Sequence, residues 1–472
     1  MKKSIIFILA LIMLSGIAIS CKEFLEENPV SSANPEVVLN SPAGFDAALI
    51  GSYSRIMGWG SIYSWDVFKI FESFMDYQYA PYDAGISNGN IISTDWPVRQ
   101  CWENLYVTIG YTNTILYNIE KIKGDPIQDR VEGEAKFLRA WSYFNLIQFF
   151  GDVPLVLEPT NTPGSFAPSR TPQADIYKQI ISDLTDAETK MNDTAPLASR
   201  VNKWVAKAYL VKVYLTMAGN PNKIASYNGT FTYNLALAKA KEIINSNKYT
   251  INIPYKTVFD TQGDAETIWD FRSPDKANYN HFTFLSQGIF TPEQSFLNSF
   301  DASDARGPGQ GMIATSYVLD GKTYTFPLPT YMKFVDKQNY SKGNQMQSTR
   351  SIKIIRFADV LLMAAEAENE LNGPSQDAYM WINAVRSRAG IISLSGLTKD
   401  SFREAVFVER RKELYGEGFS WFDLKRFNKF DLLKNTGRTF VTPIDAHLNY
   451  LPIYKTELDN NPNVTQNPGW PG

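Results

Sequence analysis

Apolar positions recur mainly at helical spacing along this chain. Over 102–122, Leu105, Ile109, Thr112, Ile115, Leu116 and Ile119 fall three and four apart, which places them on one side of a helix. Residues 131–150 (VEGEAKFLRAWSYFNLIQFF) are apolar almost all round and predict a buried helix. Gly151 can end it in a left-handed conformation, and Pro154 keeps it from resuming. Over 173–191, Ile176, Ile180, Leu184 and Ala187 share a face. Ser199 is the expected N-cap of the next helix, which runs through Val201, Trp204, Val205, Ala208, Val211 and Leu215. An alanine-rich helix follows at 233–247. Residues 354–371 and 377–389 predict an antiparallel pair broken at Gly373-Pro374. The last long helix opens on a capping box, Ser401-x-x-Glu404, and runs to about Tyr415.

Such pairs, with alanine where helices cross, are similar to tetratricopeptide repeats, although their period is irregular. The expected fold is mainly α: an irregular tetratricopeptide-like helical-repeat superhelix with long aromatic-rich loops and a few short strands. An ordinary helical domain is the plainer alternative. The scaffold would occupy about 102–247 and 352–415, with two aperiodic segments, about 57–101 and 252–350, outside it.

The amino terminus has another purpose. Residues 1–20 combine Lys2 and Lys3, an apolar stretch from Ile5 to about Leu14, and a run of small residues, the pattern of a secretory signal. That stretch falls short of the roughly 20 residues a bilayer-spanning helix needs. Ala18-Ile19-Ser20-Cys21 is similar to a bacterial lipobox, so Cys21 is the expected lipidation site and 21–472 a single lipid-tethered domain. No later segment has the length and apolarity of a membrane span.

Composition narrows the chemistry. Lys plus Arg number 46 and Asp plus Glu 49, a formal charge of −3, without the basic excess of a nucleic-acid binder. Two histidines (His281, His447) and two cysteines (Cys21, Cys101) argue against zinc sites, disulfide scaffolds and Cys–His nucleophiles. Hydrolase, metalloprotease, P-loop and dinucleotide-binding motifs are absent. The glycine-rich run from Arg306 to Gly311 has no lysine or following helix to cradle phosphate and reads as a turn. No catalytic residue, cofactor or metal is expected, and the chain reads as a binder rather than an enzyme. The 49 acidic residues leave a glycosidase carboxylate pair open without a motif to mark one.

Aromatic residues are abundant: 10 Trp, 25 Tyr and 29 Phe. Many belong to predicted helices, such as Trp141, Tyr143 and Trp204, and Trp102 and Trp269 are expected in the core. The two aperiodic segments mix the rest with Gly, Asp, Asn and Gln. Long irregular segments are commonly functional, and this aromatic content argues against disorder. The mixture suits a carbohydrate, whose C–H faces stack on rings and whose hydroxyls need polar partners. Trp59, Tyr63, Trp65, Tyr82, Trp96, Tyr279 and Tyr324 are the stacking candidates. Asp83, Asn88, His281 and Arg306 are candidates for hydroxyl contacts.

Several stretches resemble the SusD/RagB family of outer-membrane lipoproteins. They include Phe24-Leu25-Glu26 with Pro29, residues 134–157 (EAKFLRAWSYFNLIQFFGDVPLVL), and Ser169-Arg170-Thr171-Pro172. Residues 356–368, Ile382-Asn383-x-x-Arg386-x-Arg388-Ala389-Gly390, Glu409-Arg410-Arg411-x-Glu413-Leu414 and Trp421–Arg426 continue the match, as does the closing stretch from Leu451. Ser420, Tyr454 and Trp470 depart from it, standing where arginine, proline and tyrosine are usual. The resemblance implies a cell-surface, lipid-anchored outer-membrane protein that captures oligo- or polysaccharide. It would pass that glycan to a SusC-like TonB-dependent transporter. A RagB-like peptide binder and a secreted glycan-cleaving enzyme are the alternatives. Arg139, Arg386, Glu409, Arg410 and Asp423 sit among apolar helical residues, so structural ion pairs are expected of them rather than catalysis.

Overall fold

The computed structural model describes residues 35–57, 61–63, 65–81, 84–159, 167–219, 229–272, 290–343, 348–441 and 443–471. Its longer helices are α1 (Pro42–Met57), α2 (Trp65–Ser73), α3 (Trp96–Asn118), α4 (Gln128–Phe150), α5 (Gln173–Lys190) and α6 (Lys203–Ala218). After them come α7 (Gly229–Asn245), α8 (Phe357–Asn372), α9 (Gln376–Arg388), α10 (Lys399–Leu414) and α11 (Ser420–Arg426). From α3 to α9 each helix packs on the next, and α8 also packs on α10. This is the expected mainly α, tetratricopeptide-like arrangement. Helix α4 is surrounded on every side, and one continuous apolar core runs from Leu39 to Trp470, with Trp102 and Trp269 inside it.

Several helix ends differ from expectation, each for a local reason. Helix α3 starts six residues early, at Trp96 behind Asp95, because Pro97 suits a first turn. Gly151 does end α4, but at φ 74° and ψ −129°, outside the left-handed helical region and open only to glycine. The cap of α6 is Asn202, whose side chain accepts from the N–H groups of Trp204 (2.9 Å) and Val205 (3.2 Å). Ser199 takes a left-handed φ of 71° instead. Its carbonyl accepts from the Trp269 indole (2.9 Å) and its hydroxyl from Arg272 N–H (2.8 Å). Helix α10 is capped by Thr398, which accepts from Ser401 N–H at 3.2 Å, so the Ser401–Glu404 box does not form.

Four two-stranded antiparallel ladders complete the described residues. They pair β1 (Gln78–Tyr79) with β5 (Thr291–Pro292) and β2 (Val153–Pro154) with β3 (Arg170–Thr171). They also pair β4 (Thr267–Phe271) with β8 (Ile352–Arg356) and β6 (Ile313–Leu319) with β7 (Lys322–Tyr331). The segment 252–350, expected as loop, therefore holds the two longer strands of a hairpin and one strand of each of two further ladders. Asp320 and Gly321, at φ 51° and 75°, form the two-residue turn of the hairpin.

Buried charge fastens this segment to the helices. Arg306, Lys333, Arg356, Arg386 and Arg388 meet Glu266, Asp304, Glu409, Glu413 and Glu417, five cations to five carboxylates. Arg356 donates to both Glu417 oxygens at 2.9 Å, and Lys333 reaches Glu417 at 2.8 Å. A second cluster joins Arg410 to Asp359 (2.7 Å) and Asp423 (2.8 Å), and Arg139 pairs with Asp183 through two 2.8 Å bonds. The signature residues Arg139, Arg386, Glu409, Arg410 and Asp423 are thus consumed in ion pairs.

Candidate functional site

The two aperiodic aromatic segments, far apart in sequence, meet in the fold. Gln78 lies opposite Pro292 and Tyr79 opposite Thr291 in the β1–β5 ladder, and β5 in turn contacts β7 of the hairpin. The Phe68 and Phe290 rings meet edge to face at 6.4 Å, and Tyr77 lies 4.9 Å from Phe296. Arg438 ties the junction together. It donates to the carbonyls of Ser73 (3.2 Å), Met75 and Ser87 (2.9 Å) and pairs with Glu293 at 3.1 Å.

Beneath the junction, the buried Glu72 carboxylate accepts from the Tyr77 hydroxyl (2.5 Å), the Gln78 amide (2.6 Å) and Gly418 N–H (2.6 Å). The Tyr77 hydroxyl also contacts Ser420 Oγ at 2.6 Å, so the serine that departs from the family pattern has a partner other than a carboxylate. Burial pushes the Glu72 carboxyl up to about 8, against the pull of Tyr77 and Gly418.

The candidate residues fall into three environments. Trp96 opens α3 at the surface, 45 % exposed, with the Arg99 guanidinium 5.5 Å from its ring centroid. Tyr324 stands on β7 directly opposite Tyr317 of β6, the rings stacked at 5.1 Å with 14° between planes. Lys322 Nζ lies 5.1 Å from the Tyr324 ring. Asn88 is half-buried, and its carbonyl accepts from Val441 N–H at 2.8 Å.

Two candidates point elsewhere. The Tyr63 ring packs edge to face on Phe271 at 5.4 Å and near Trp141 at 6.3 Å. It lines an internal cavity of about 60 Å³ beside Lys212, Arg410 and Phe419. That volume admits a few waters and no sugar ring. Arg306 needs a plainer correction. It is fully buried, bonded to Asp304 at 2.8 Å and paired with Glu409 and Glu413. A surface ligand cannot reach its guanidinium. Trp59, Tyr82, Asp83, Tyr279, His281 and the lipidation candidate Cys21 lie outside the described residues, as does the side chain of Trp65, which falls in α2.

Tyr317, the stacking partner of Tyr324, is buried in a small core with Phe326, Met332 and Val335 and supports the Tyr324 ring from behind; it is not among the candidates although a signal for it exists. Asp-Gly between the runs at 313–319 and 322–331 marks a hairpin, and hairpin geometry brings Tyr317 and Tyr324 face to face. Among the described residues no three metal-ligating side chains cluster, and Cys101 is buried.

The model of the SusD family matches residues 182–470, more than half of the chain. The chain belongs to the SusD family. A second family model, described as starch-binding associating with outer membrane, matches 23–215 of this SusD-family chain. A SusD-like protein of Formosa agariphila is 27% identical, covering 99% of this chain and 100% of that one. Among solved structures, a SusD homolog from Bacteroides thetaiotaomicron superposes with a TM-score of 0.79 at 23% identity, over 91% of this chain and 97% of that one. A laminarin-binding SusD-like protein gives a TM-score of 0.72 at 23% identity, over 90% and 99%. Among the described residues of the SusD-family chain, no helix is long and apolar enough to cross a membrane.

Proposed function

We propose that this chain captures an oligo- or polysaccharide at the outer-membrane surface and passes it to a SusC-like TonB-dependent transporter without cleaving it. The observation that carries the reading is the convergence of the two aromatic segments at β1–β5, the first carrying the accessible ring of Trp96 and the second the half-buried ring of Tyr324, which is backed by buried Tyr317. A ring on such a surface offers a wide apolar face at small entropic cost, which suits the C–H face of a pyranose. Several weak contacts along one glycan give retention through effective concentration while each still releases quickly. The starch-binding description of the matched family model and the laminarin-binding relative support a glycan as ligand.

Acylation at Cys21 would hold the protein at the membrane. Thirteen residues lie between Cys21 and Pro35, where the described residues begin, a length that could span at most about 50 Å. Affinity electrophoresis in polysaccharide-containing gels tests the capture step. The purified mature chain is expected to be retarded by at least one polysaccharide, and Trp96→Ala and Tyr324→Ala to lose that retardation with unchanged circular dichroism. Full mobility of the unaltered chain on every polysaccharide, together with binding to peptides, would replace the glycan with a peptide. Co-purification with the transporter tests the second step, and its loss after Cys21→Ala alone would assign the pairing to the tether.

A further inference from the structure

Beside the β6–β7 hairpin lies a small cleft of about 50 Å³, between the helical turn Tyr255–Val258 and the turn Pro308–Gln310. Its walls carry Lys256, Lys337 and Arg350, and Asp260 is the one carboxylate among its lining residues. That carboxylate is committed. Arg350 holds it at 2.6 Å and donates to the carbonyls of Phe259 (3.0 Å) and Lys333 (3.2 Å). Lys333, also lining the cleft, is buried and spent on Glu417. Lys256 and Lys337 make no ion pair among the described residues.

Lys337 is half-buried and Lys256 exposed, so two ammonium groups without a carboxylate partner among the described residues share one cleft. Burial and then the neighbouring Lys256 hold the Lys337 ammonium below the ordinary lysine range, with Asp260 opposing. Like charges held together raise the free energy of the empty cleft, and an anion placed between them reverses the sign. Lysine ammonium groups, flexible and with three donors each, suit a carboxylate or sulfate as point charges. The cleft also adjoins the Tyr317 ring that backs Tyr324. Lys337 Nζ lies 5.7 Å from the Tyr317 ring centroid, and the Tyr317 hydroxyl donates to the Lys337 carbonyl at 3.1 Å.

We propose that Lys256 and Lys337 receive the acidic substituent of an anionic glycan, a uronate carboxylate or a sulfate ester, whose neighbouring sugar stacks on the Tyr324 ring. This rests on the glycan-capture reading and adds the substrate class to it.

The test is isothermal titration of the mature chain with three probes: an oligogalacturonate, a sulfated galactan oligosaccharide and a neutral laminarin oligosaccharide. At least one acidic probe is expected to bind more tightly than the neutral one, with the gap closing at high salt. The Lys256→Gln/Lys337→Gln double variant should lose about tenfold more affinity for the acidic probe than for the neutral one. The preferred acidic probe separates carboxylate from sulfate. Binding of the neutral probe as tightly as both acidic ones, or equal losses in the double variant, overturns the anionic assignment and leaves glycan capture standing. Absence of binding to all three, with no retardation on any polysaccharide gel, removes both.

Discussion

Two regions of this protein handle charge in opposite ways. Around Glu413, five cations and five carboxylates lie close together, with Arg306, Arg356 and Glu413 essentially inaccessible to solvent. Arg388, Arg356 and Arg306 outweigh the burial that would raise the Glu413 carboxyl and bring it below the usual carboxylate range. In the cleft by the hairpin, Lys256 and Lys337 face each other's field with the nearby carboxylate already taken by Arg350. Matched charge fixes the geometry of the frame, because each partner has little freedom once the other is placed. Unmatched charge at an accessible edge is ready for a ligand. Glu72 shows the third way of handling a charge, since it is buried without an ion pair among the described residues and burial pushes its carboxyl up to about 8.

The largest effect should come from opening the matched region. Glu413→Gln leaves Arg306, Arg356 and Arg388 short of a carboxylate and is expected to cost about 3–5 kcal/mol in urea denaturation. A cost under about 1 kcal/mol would show that the network does not fix the frame, which breaks the comparison.

A smaller effect is expected from Glu72. The folded carboxyl keeps its proton up to about pH 8 while the unfolded one releases it near 4.5. Between those values the native state binds more protons than the unfolded state, so its stability falls as pH rises, by at most about 1.4 kcal/mol per pH unit. Denaturation from pH 5 to 8 should show this slope, and Glu72→Gln should flatten it. Parallel profiles would place an ionised Glu72 in the frame.

Next, Tyr324→Ala removes one ring of a cross-strand pair and should cost about 1 kcal/mol by thermal melting while abolishing glycan retardation. Smallest of all, Lys337→Gln should change stability by no more than about 0.5 kcal/mol and should favour the folded state, because it removes a cation from a repulsive site. A loss of several kcal/mol in this variant would move Lys337 into the matched class.

The same contrast explains what was legible from residues alone. Helices α3 to α10 announce themselves because each buries a stripe or a whole surface, and burial leaves an apolar period in the sequence. Caps were harder, since Ser199, Asn202, Thr398 and Ser401 are all chemically able to cap, and packing decides among them. Trp269 pulls the Ser199 carbonyl away, and Asn202 caps instead. Arg306 misled for a related reason: in a glycine-rich turn it reads as exposed, and its partners Glu409 and Glu413 lie about a hundred residues away. The cleft cations carried no local signature, because Lys256 and Lys337 become neighbours only when the hairpin docks. The hairpin itself was written in Asp320-Gly321, a two-residue signal easily lost in an aromatic-rich stretch.

That turn has a consequence for how the hairpin can change over generations. In a hairpin the side chains alternate between two faces, so adding one residue to a strand turns every later ring to the opposite side. Adding two to each strand behind Asp320-Gly321 instead preserves the facing of Tyr317 and Tyr324 and extends the hairpin outward by about 7 Å. Lengthening in such paired steps would change the reach of the hairpin while the frame beneath stays as it is.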